Sequence, residues 1–541
     1  MERSTLESQI ADVDLAIIGG GVGGVAAALA ALRRGLRVVL TEETDRIGGQ
    51  FTSQGVPPDE HRWIEQFGCT ASYRRYRSAV RDYYRRWYPL TVTARNDPRL
   101  NPGLGRVGPL CHEPRVSGAV LRSLIDPYLS SGRLRILLRT RPVAVELRGD
   151  RATGITVERA DAGRVHIVSP YYLDATELGD VLPLADVEHV TGFESRHETG
   201  EPSGPEVAQP DNMQAISWVF AVEHREGEDH VIERPARYDY WRGYRPAYWP
   251  GPQIGLTAPD PRTLAPLTRT FTPNARSGQV IADQSQDPGD RELWEFRRVV
   301  ARELYEPGFV ASDVTLVNWP MIDYLDGPLI GVGEEEKQQH LRGARELSAS
   351  MLYWLQTEAP RPDGGRGWPG LRLRPDVMDT VDGFAAAPYI RESRRIRAEY
   401  TIVEQDLSLA VRGDAGAVAY DDTVGIGMYR IDLHPSTGGD NYIDIASCPF
   451  QIPLGALLPV RIRNLLPAGK NIGTTHITNG CYRLHPVEWN IGEAAGSLVA
   501  YCHREAVEPH DVRRKEQHLR MFQNTLVADG VELGWPEIRG Y

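Results

Sequence analysis

A glycine-rich turn near the start of the chain constrains the fold more than any other feature of the sequence. Residues 14–18 form a short apolar run that is typical of a buried parallel strand. The run ends in Gly19, Gly21 and Gly24, which have the spacing G-x-G-x-x-G. The alanine-rich residues 25–34 favour a helix, and a second apolar run follows it. The order strand, turn, helix and strand predicts a βαβ unit with parallel strands.

Each residue of this turn has a physical role in holding a dinucleotide. Gly19 allows the tight turn, Gly21 lets the backbone approach a pyrophosphate, and Gly24 lets the helix pack closely on the strand. The free N–H groups at the helix N-terminus attract phosphate. Glu42 and its neighbour Glu43 follow the second strand, where a carboxylate accepts hydrogen bonds from ribose hydroxyls. The turn therefore predicts a dinucleotide-binding Rossmann unit, but it does not distinguish NAD from FAD.

The residues that follow these acids favour FAD. Arg46 precedes Gly48, Gly49 and Gln50 in the next loop. An acid followed by a basic residue and a Gly-Gly pair resembles the extended FAD fingerprint of the glutathione-reductase-like flavoproteins. The resemblance implies that these residues lie beside the cofactor.

Two segments near the end of the chain resemble the part of such flavoproteins that returns to the first domain. Residues 464–473 are typical of a strand that ends in a glycine-rich turn, which includes Gly469 and Asn471. The small-residue segment that starts with Asn490 and Ile491 is expected to begin a helix. The resemblance implies that the turn lies near the ribityl chain and that the helix N-terminus points at the flavin. Arg483, between them, is a further candidate for a flavin or substrate contact.

A third piece lies between these two ends. Residues 143–147 and 154–157 predict a small β-ribbon, and the resemblance places Val143 at a main-chain contact to adenine. Ala175 and Thr176 belong to a stretch that resembles the element closing the FAD domain in this superfamily. Glu177 follows where the pattern has glycine.

A narrower resemblance covers nearly the whole chain. Residues 388–396 contain R-E-S-R-R-I and resemble the signature of the bacterial FAD-dependent oxidoreductase family, and residues 429–434 and 451–459 agree with it. The resemblance implies an α/β fold with a glutathione-reductase-like, Rossmann-type FAD-binding domain and an inserted α+β substrate domain. We predict the first part of the FAD-binding domain at residues 1–186, the substrate or cap domain at 187–439, and the return segment with C-terminal helices at 440–541.

Composition limits the partners. The net charge of −12 argues against a nucleic-acid partner, which requires a basic face. The five cysteines are far apart and form no CxxC pair, so no metal site is predicted. Residues 1–14 are polar and lack the pattern of a secretory signal, and the sequence shows no sign of a membrane partner. We expect a cytoplasmic protein with a small-molecule substrate, and homodimer formation stays open.

The sequence contains one dinucleotide fingerprint, and a stable NAD(P)H domain would need a second. We therefore expect a dehydrogenase or oxidase that takes a hydride from a small organic substrate to flavin N5 and passes electrons to oxygen or an external acceptor. The alternative is an FAD-dependent monooxygenase reduced by NAD(P)H.

Such a reaction requires a base, and histidine is suited to that role at neutral pH. His434 follows Asp432 in an Asp-x-His pattern, and His476 follows the glycine-rich turn. Either one is a candidate base, or a hydrogen-bonded residue that holds its loop. Arg391 is a candidate contact to a substrate carboxylate or to the flavin, or a member of a buried ion-pair network.

Overall fold

The computed structural model describes residues 6–276 and 289–541. In chain order its strands are β1 Leu6–Ile10, β2 Leu15–Ile18, β3 Val38–Thr41, β4 Leu134–Leu137, β5 Thr140–Arg148, β6 Arg151–Arg159, β7 Gly163–Ile167, β8 Tyr171–Asp174, β9 His189–Val190, β10 Ile216–Ser217, β11 Phe220–His224, β12 Thr257–Pro259, β13 Pro266–Thr268, β14 Arg298–Val300, β15 Val314–Val317, β16 Asp323–Tyr324, β17 Leu371–Leu373, β18 Arg395–Ile396, β19 Thr423–Gly427, β20 Ile431–Leu433, β21 Ile443–Ile445, β22 Phe450–Pro453 and β23 Leu465–Pro467.

The helices follow the same order. They are α1 Val22–Arg33, α2 Ala71–Trp87, α3 Val92–Asn96, α4 Pro114–Ser130, α5 Val181–Leu184, α6 Arg196–Thr199, α7 Tyr238–Gly243, α8 Leu293–Phe296, α9 Glu334–Thr357, α10 Pro375–Met378, α11 Glu404–Leu407, α12 Leu409–Arg412, α13 His476–Tyr482, α14 His485–Glu505, α15 Pro509–Arg514 and α16 Glu516–Ala528. Among the described residues, none of these helices has the length and apolar content that crossing a bilayer requires.

A parallel sheet carries the glycine turn. Its strand order is β23-β8-β2-β3-β4, and every neighbouring pair is parallel. All four residues of β2 are buried, which explains their uninterrupted apolar character. The predicted βαβ unit is confirmed by β2, α1 and β3. The result is a mixed α/β architecture with a parallel sheet, as a Rossmann-type unit requires.

The far end of the chain joins this first unit through close backbone contact. β23 pairs with β8, and α14 lies directly on α1. A Cβ added at Gly492 would lie 2.0 Å from the Gly23 carbonyl oxygen, and one added at Gly496 would lie 2.2 Å from that of Ala27. Because no side chain fits at either position, the small residues of α14 serve helix packing.

The predicted ribbon is confirmed as the antiparallel pair β5 and β6. It belongs to a second sheet with strand order β1-β7-β6-β5. Val145 pairs with Ile155 in its register.

The middle region has its own sheet and its own core. The sheet has strand order β14-β15-β11-β17 and is antiparallel throughout. The long helix α9, Glu334–Thr357, packs in this region. Several aromatic rings lie in this core, and Trp241 is fully buried. Tyr240 remains 44% exposed at its edge.

Candidate active site

The glycine turn has the geometry that its spacing predicts. Gly19 has φ +105°, and a Cβ there would lie 2.2 Å from the Ala175 carbonyl oxygen. A Cβ at Gly24 would lie 2.1 Å from the Gly19 carbonyl oxygen. Gly48 also has positive φ, +111°, and its N–H donates to the Gly20 carbonyl at 2.7 Å. Glycine is therefore required where the strand, the helix and the following loop converge.

Glu42 joins this turn to the loop after β3. Its carboxylate accepts hydrogen bonds from the Gly20 N–H at 2.9 Å, the Thr44 N–H at 2.8 Å and the Thr44 hydroxyl at 2.7 Å. Burial raises the pKa of Glu42 to about 7. The carboxylate thus stands at the carboxyl end of β3, where the sequence predicts a ribose contact.

A cavity of about 430 Å³, which we call the dinucleotide cleft, opens at this edge of the parallel sheet. Residues of the first unit and of the middle region line it, including Gly19, Glu42, Glu43, Ala175, Thr176, Trp218, Leu329 and Pro388. The cleft thus gathers five of the predicted cofactor residues. Val143 does not line it, although the neighbouring Thr140 and Pro142 do.

A carboxylate lies against Gly21, which the sequence assigns to the pyrophosphate, and against Gly49, which the resemblance places beside the cofactor. A Cβ at Gly21 would lie 2.6 Å from Glu177 Oε1, and one at Gly49 would lie 2.7 Å from the same atom. Glu177 forms an ion pair with Lys470. Among the described residues Glu177 Oε1 is buried without a hydrogen-bond partner. The space at the α1 N-terminus is therefore shaped for an anion, and a side chain supplies it here.

Lys470 connects this space to a second acid. It is nearly fully buried, and its Nζ lies 3.7 Å from Glu488 Oε1. Gln50 Nε2 donates to Glu488 Oε2 at 2.5 Å and to the Arg483 carbonyl at 3.0 Å. Burial raises the pKa of Glu488 to about 7, although Lys470 opposes this rise. Sequence patterns did not indicate that Glu177, Lys470 and Glu488 lie at this site. The available signal was a lysine inside a glycine-rich turn of a chain with only three lysines.

Asn471 holds two chain turns together at the same edge. Its Nδ2 donates to the Asp174 carbonyl at 3.0 Å, and its Oδ1 accepts from the Gly469 N–H at 3.2 Å. The predicted pairing of this glycine-rich turn with the end of the first unit is therefore observed.

The predicted start of a helix at Asn490 is wrong. α14 begins at His485 because Pro486 stands in its first turn, a position that proline favours. The Asn490 side chain donates to the Val424 carbonyl at 3.4 Å and accepts from the Ile426 N–H at 3.3 Å. Ile491 is fully buried. Both residues therefore lie inside the helix and not at its N-terminus, and their contact with a flavin stays a prediction.

Arg46 also lies away from the cleft. Its guanidinium is held by the carboxylate of Asp45 and by the Met378 carbonyl at 3.1 Å. It does not line the dinucleotide cleft.

A second cavity of about 180 Å³, which we call the polar chamber, is lined mostly by charged and polar side chains. Its lining includes Arg269, Arg297, Asn318, Arg430, Asp432, His434 and Tyr442. These residues come from the middle region and from the segment after it. The chamber therefore depends on distant parts of the chain.

His434 forms a buried dyad with an acid at the edge of this chamber. Its Nδ1 lies 2.6 Å from Asp323 Oδ2, and Asp323 is fully buried. His434 Nε2 lies 4.0 Å from Asp432 Oδ2. Burial, and after it Arg391, lowers the pKa of His434. The imidazole is therefore neutral at pH 7, with Nδ1–H donated to Asp323 and the Nε2 lone pair available.

Arg391 acts on this dyad from behind. It is 1% exposed, and its Nη2 lies 3.1 Å from Asp323 Oδ1. Burial opposes ionisation of Asp323, but Arg391 and His434 lower its pKa. Ser217 donates to Asp323 Oδ1 at 2.5 Å. Arg391 lines neither cavity. Its guanidinium instead favours the ionised form of Asp323.

His476 occupies a different setting. Its Nδ1 lies 2.9 Å from Glu392 Oε1, and its ring stacks on Phe193 with centroids 4.3 Å apart. Glu392 in turn pairs with Arg395 at 2.5 Å. His476 is 2% exposed and lines neither cavity. This is the arrangement of a histidine that holds its loop.

Arg483 lies between the contacts of Lys470, Glu488 and Gln50 and the polar chamber. Its Nη1 donates to the Tyr389 hydroxyl at 2.6 Å, and its Nη2 donates to the Asp432 carbonyl at 3.0 Å. Its own carbonyl accepts from Gln50, as described above. Arg483 therefore links the Lys470 network to the polar chamber.

The residues around the cleft fit FAD. The turn excludes side chains at Gly19 and Gly24, and the α1 N-terminus faces a buried anion. Among the described residues Gln50 Oε1 is buried without a hydrogen-bond partner. Because Glu177 Oε1 lies against Gly21, this side chain would have to move before a pyrophosphate could reach that glycine.

Comparison with known proteins agrees with this fit. A family model described as FAD dependent oxidoreductase matches residues 14–526. No curated protein matches the chain significantly. The solved structure of p-nitrophenol 4-monooxygenase from Pseudomonas putida DLL-E4 is similar at 11% identity, over 96% of this chain and 89% of that chain, with a TM-score of 0.34.

Two other similar structures match over shorter stretches. L-proline dehydrogenase from P.horikoshii has 20% identity over 36% of this chain and 26% of that chain, with a TM-score of 0.19. The myxobacterial chondrochloren halogenase has 15% identity over 41% of this chain and 45% of that chain, with a TM-score of 0.22. The chain thus spans less than half the length of each, and such low scores carry no argument about the reaction. The family match extends over nearly the whole sequence, so the chain belongs to the FAD dependent oxidoreductase family and its cofactor is FAD.

Proposed function

We propose that this chain is a dehydrogenase or oxidase that oxidises a small organic substrate in the polar chamber. Electrons leave to oxygen or to an external acceptor. The observation that carries this proposal is the His434–Asp323 dyad, whose imidazole lines the polar chamber. We also propose that the middle region, residues 187–439, selects the substrate.

The residues around the dyad have distinct roles in this reaction. The substrate loses one C–H hydrogen with its electron pair and one O–H or N–H proton, and so becomes a carbonyl or an imine. His434 Nε2 takes the proton, because its lone pair is free while Nδ1–H is donated to Asp323. Asp323 stabilises the imidazolium that forms, as an orienting carboxylate does in other histidine dyads. FAD, when bound, accepts the hydrogen and its electron pair.

The cofactor is held at the dinucleotide cleft. Gly19, Gly21 and Gly24 give the pyrophosphate access to the α1 N-terminus, and Glu42 accepts from the adenosine ribose. Lys470 supplies a buried positive charge at the same turn. Thus backbone groups bind the phosphates, and one cation offsets their charge.

The test is anaerobic mixing of the FAD-loaded protein with small alcohols, hydroxy acids, amines and amino acids. We expect at least one of these compounds to bleach the visible flavin absorbance without any added nicotinamide. Bleaching by NADH or NADPH alone, with none by the organic compounds, would overturn the proposal in favour of a monooxygenase.

A further inference from the structure

Among the described residues, Arg297 has no hydrogen-bonded acid, unlike Arg269 and Arg430 of the same chamber. Arg269 binds Asp290, and Arg430 binds Asp444, each through direct contact of guanidinium and carboxylate. Among the described residues, Arg297 Nε and Nη1 are buried and have no hydrogen-bond partner. Its guanidinium is therefore able to form hydrogen bonds with a ligand in this chamber.

The nearest acid does not fully balance this charge. Asp59 Oδ1 lies 3.6 Å from Arg297 Nη1, which is an ion pair beyond hydrogen-bond distance. Burial raises the pKa of Asp59, so its carboxyl group ionises less readily than an exposed one. A buried guanidinium whose nearest acid lies beyond hydrogen-bond distance favours a further anion.

Two other side chains of the chamber, within the described residues, have buried polar atoms without hydrogen-bond partners. Asn318 is 4% exposed, and within the described part of the chain neither its Nδ2 nor its Oδ1 forms a hydrogen bond. The Tyr442 hydroxyl is likewise buried and unpaired there. Leaving such groups unpaired costs free energy, which a polar ligand recovers. Both residues line the same cavity as Arg297 and His434.

We propose that the polar chamber binds a small carboxylate, with Arg297 as its charged anchor and Asn318 and Tyr442 as hydrogen-bond partners. A carboxylate matches this set because it is a planar anion that accepts hydrogen bonds from a guanidinium, an amide and a hydroxyl. The inference deepens the proposed function, since it names the chemical class of the substrate on which His434 acts. The cavity of about 180 Å³ has room for a small molecule.

The experiment is isothermal titration of the FAD-loaded protein with acetate, glycolate and malonate, and with acetamide and glycolamide as neutral matches. We expect at least one carboxylate to bind at least about tenfold more tightly than its amide, as a charge-assisted contact requires. Arg297→Gln should remove that preference. Arg122→Gln, which alters an exposed arginine of α4, should retain it.

A second variant protects the test if Arg297→Gln fails to fold. Asn318→Asp keeps the shape of the side chain and breaks no protein hydrogen bond, but it places a negative charge in the chamber. It should weaken carboxylate binding by at least about tenfold through like-charge repulsion. Equal binding of acids and amides, carboxylate binding that both variants preserve, or no binding of any probe would overturn the inference.

The outcome separates this inference from the proposed function, because binding is measured without turnover. Carboxylates that bind through Arg297 while no compound bleaches the flavin would leave the inference standing and remove the proposed function. Bleaching only by an alcohol or amine that carries no carboxylate would leave the proposed function standing and remove the inference.

Discussion

The dinucleotide cleft and the polar chamber are built in opposite ways. The glycine turn of the cleft lies at the carboxyl ends of parallel strands, and close backbone contacts fix its geometry within the local stretch 19–50. The chamber is formed by side chains that lie far apart in the sequence, such as Arg297 and His434. On the proposed function, main-chain geometry holds the cofactor, whereas side chains select the substrate.

The largest expected effect is on the cleft. Gly19→Ala should yield protein without FAD, because φ is +105° and the new Cβ would lie 2.2 Å from a carbonyl oxygen. The ratio of flavin to protein absorbance measures this directly. Gly243→Ala, where a Cβ meets nothing within 4 Å, is the control and should keep its FAD. Full FAD content in the Gly19 variant would contradict the assigned site.

His434→Ala should slow the reaction in the polar chamber without changing FAD binding at the dinucleotide cleft. We expect normal FAD content and a substrate-dependent reduction rate lower by about 10²–10⁴-fold, the usual contribution of a general base. Rapid mixing under anaerobic conditions gives the rate. An unaltered rate would remove His434 from the mechanism.

Glu177→Gln should sharpen the picture of the cleft. Removing a carboxylate from the glycine turn removes repulsion toward the pyrophosphate, so FAD should bind apoprotein roughly tenfold more tightly. Quenching of FAD fluorescence measures the Kd, and Glu146→Gln on the ribbon surface is the control. Weaker FAD binding in the Glu177 variant would mean that this acid helps to hold the cofactor.

The smallest effect on catalysis is expected at His476. His476→Leu should lower the free energy of unfolding by about 1–3 kcal/mol, because it leaves Glu392 with one fewer partner. The reduction rate per bound FAD should not change. Thermal unfolding with the exposed His503→Leu variant as control tests the first part, and a lost reduction rate would return His476 to the list of candidate bases.

The same contrast explains what could be predicted from the sequence. Gly19, Gly24 and Glu42 were found because local spacing fixes their geometry in a βαβ unit. The partnership of His434 with Asp323 joins residues 111 positions apart, so no local pattern reveals it. Asn490 was misplaced because small residues along α14 were interpreted as a helix start, whereas they serve packing on α1.

The pH dependence of anaerobic flavin reduction is the most direct test of whether His434 acts as the base. The base acts when neutral, so the rate should fall as pH drops through the pKa of His434. Burial lowers that pKa, so the midpoint should lie below the ordinary value of about 6.5. We expect this acid limb in the wild type, and we expect it to be absent from the residual rate of His434→Ala. The same limb in both proteins would contradict it.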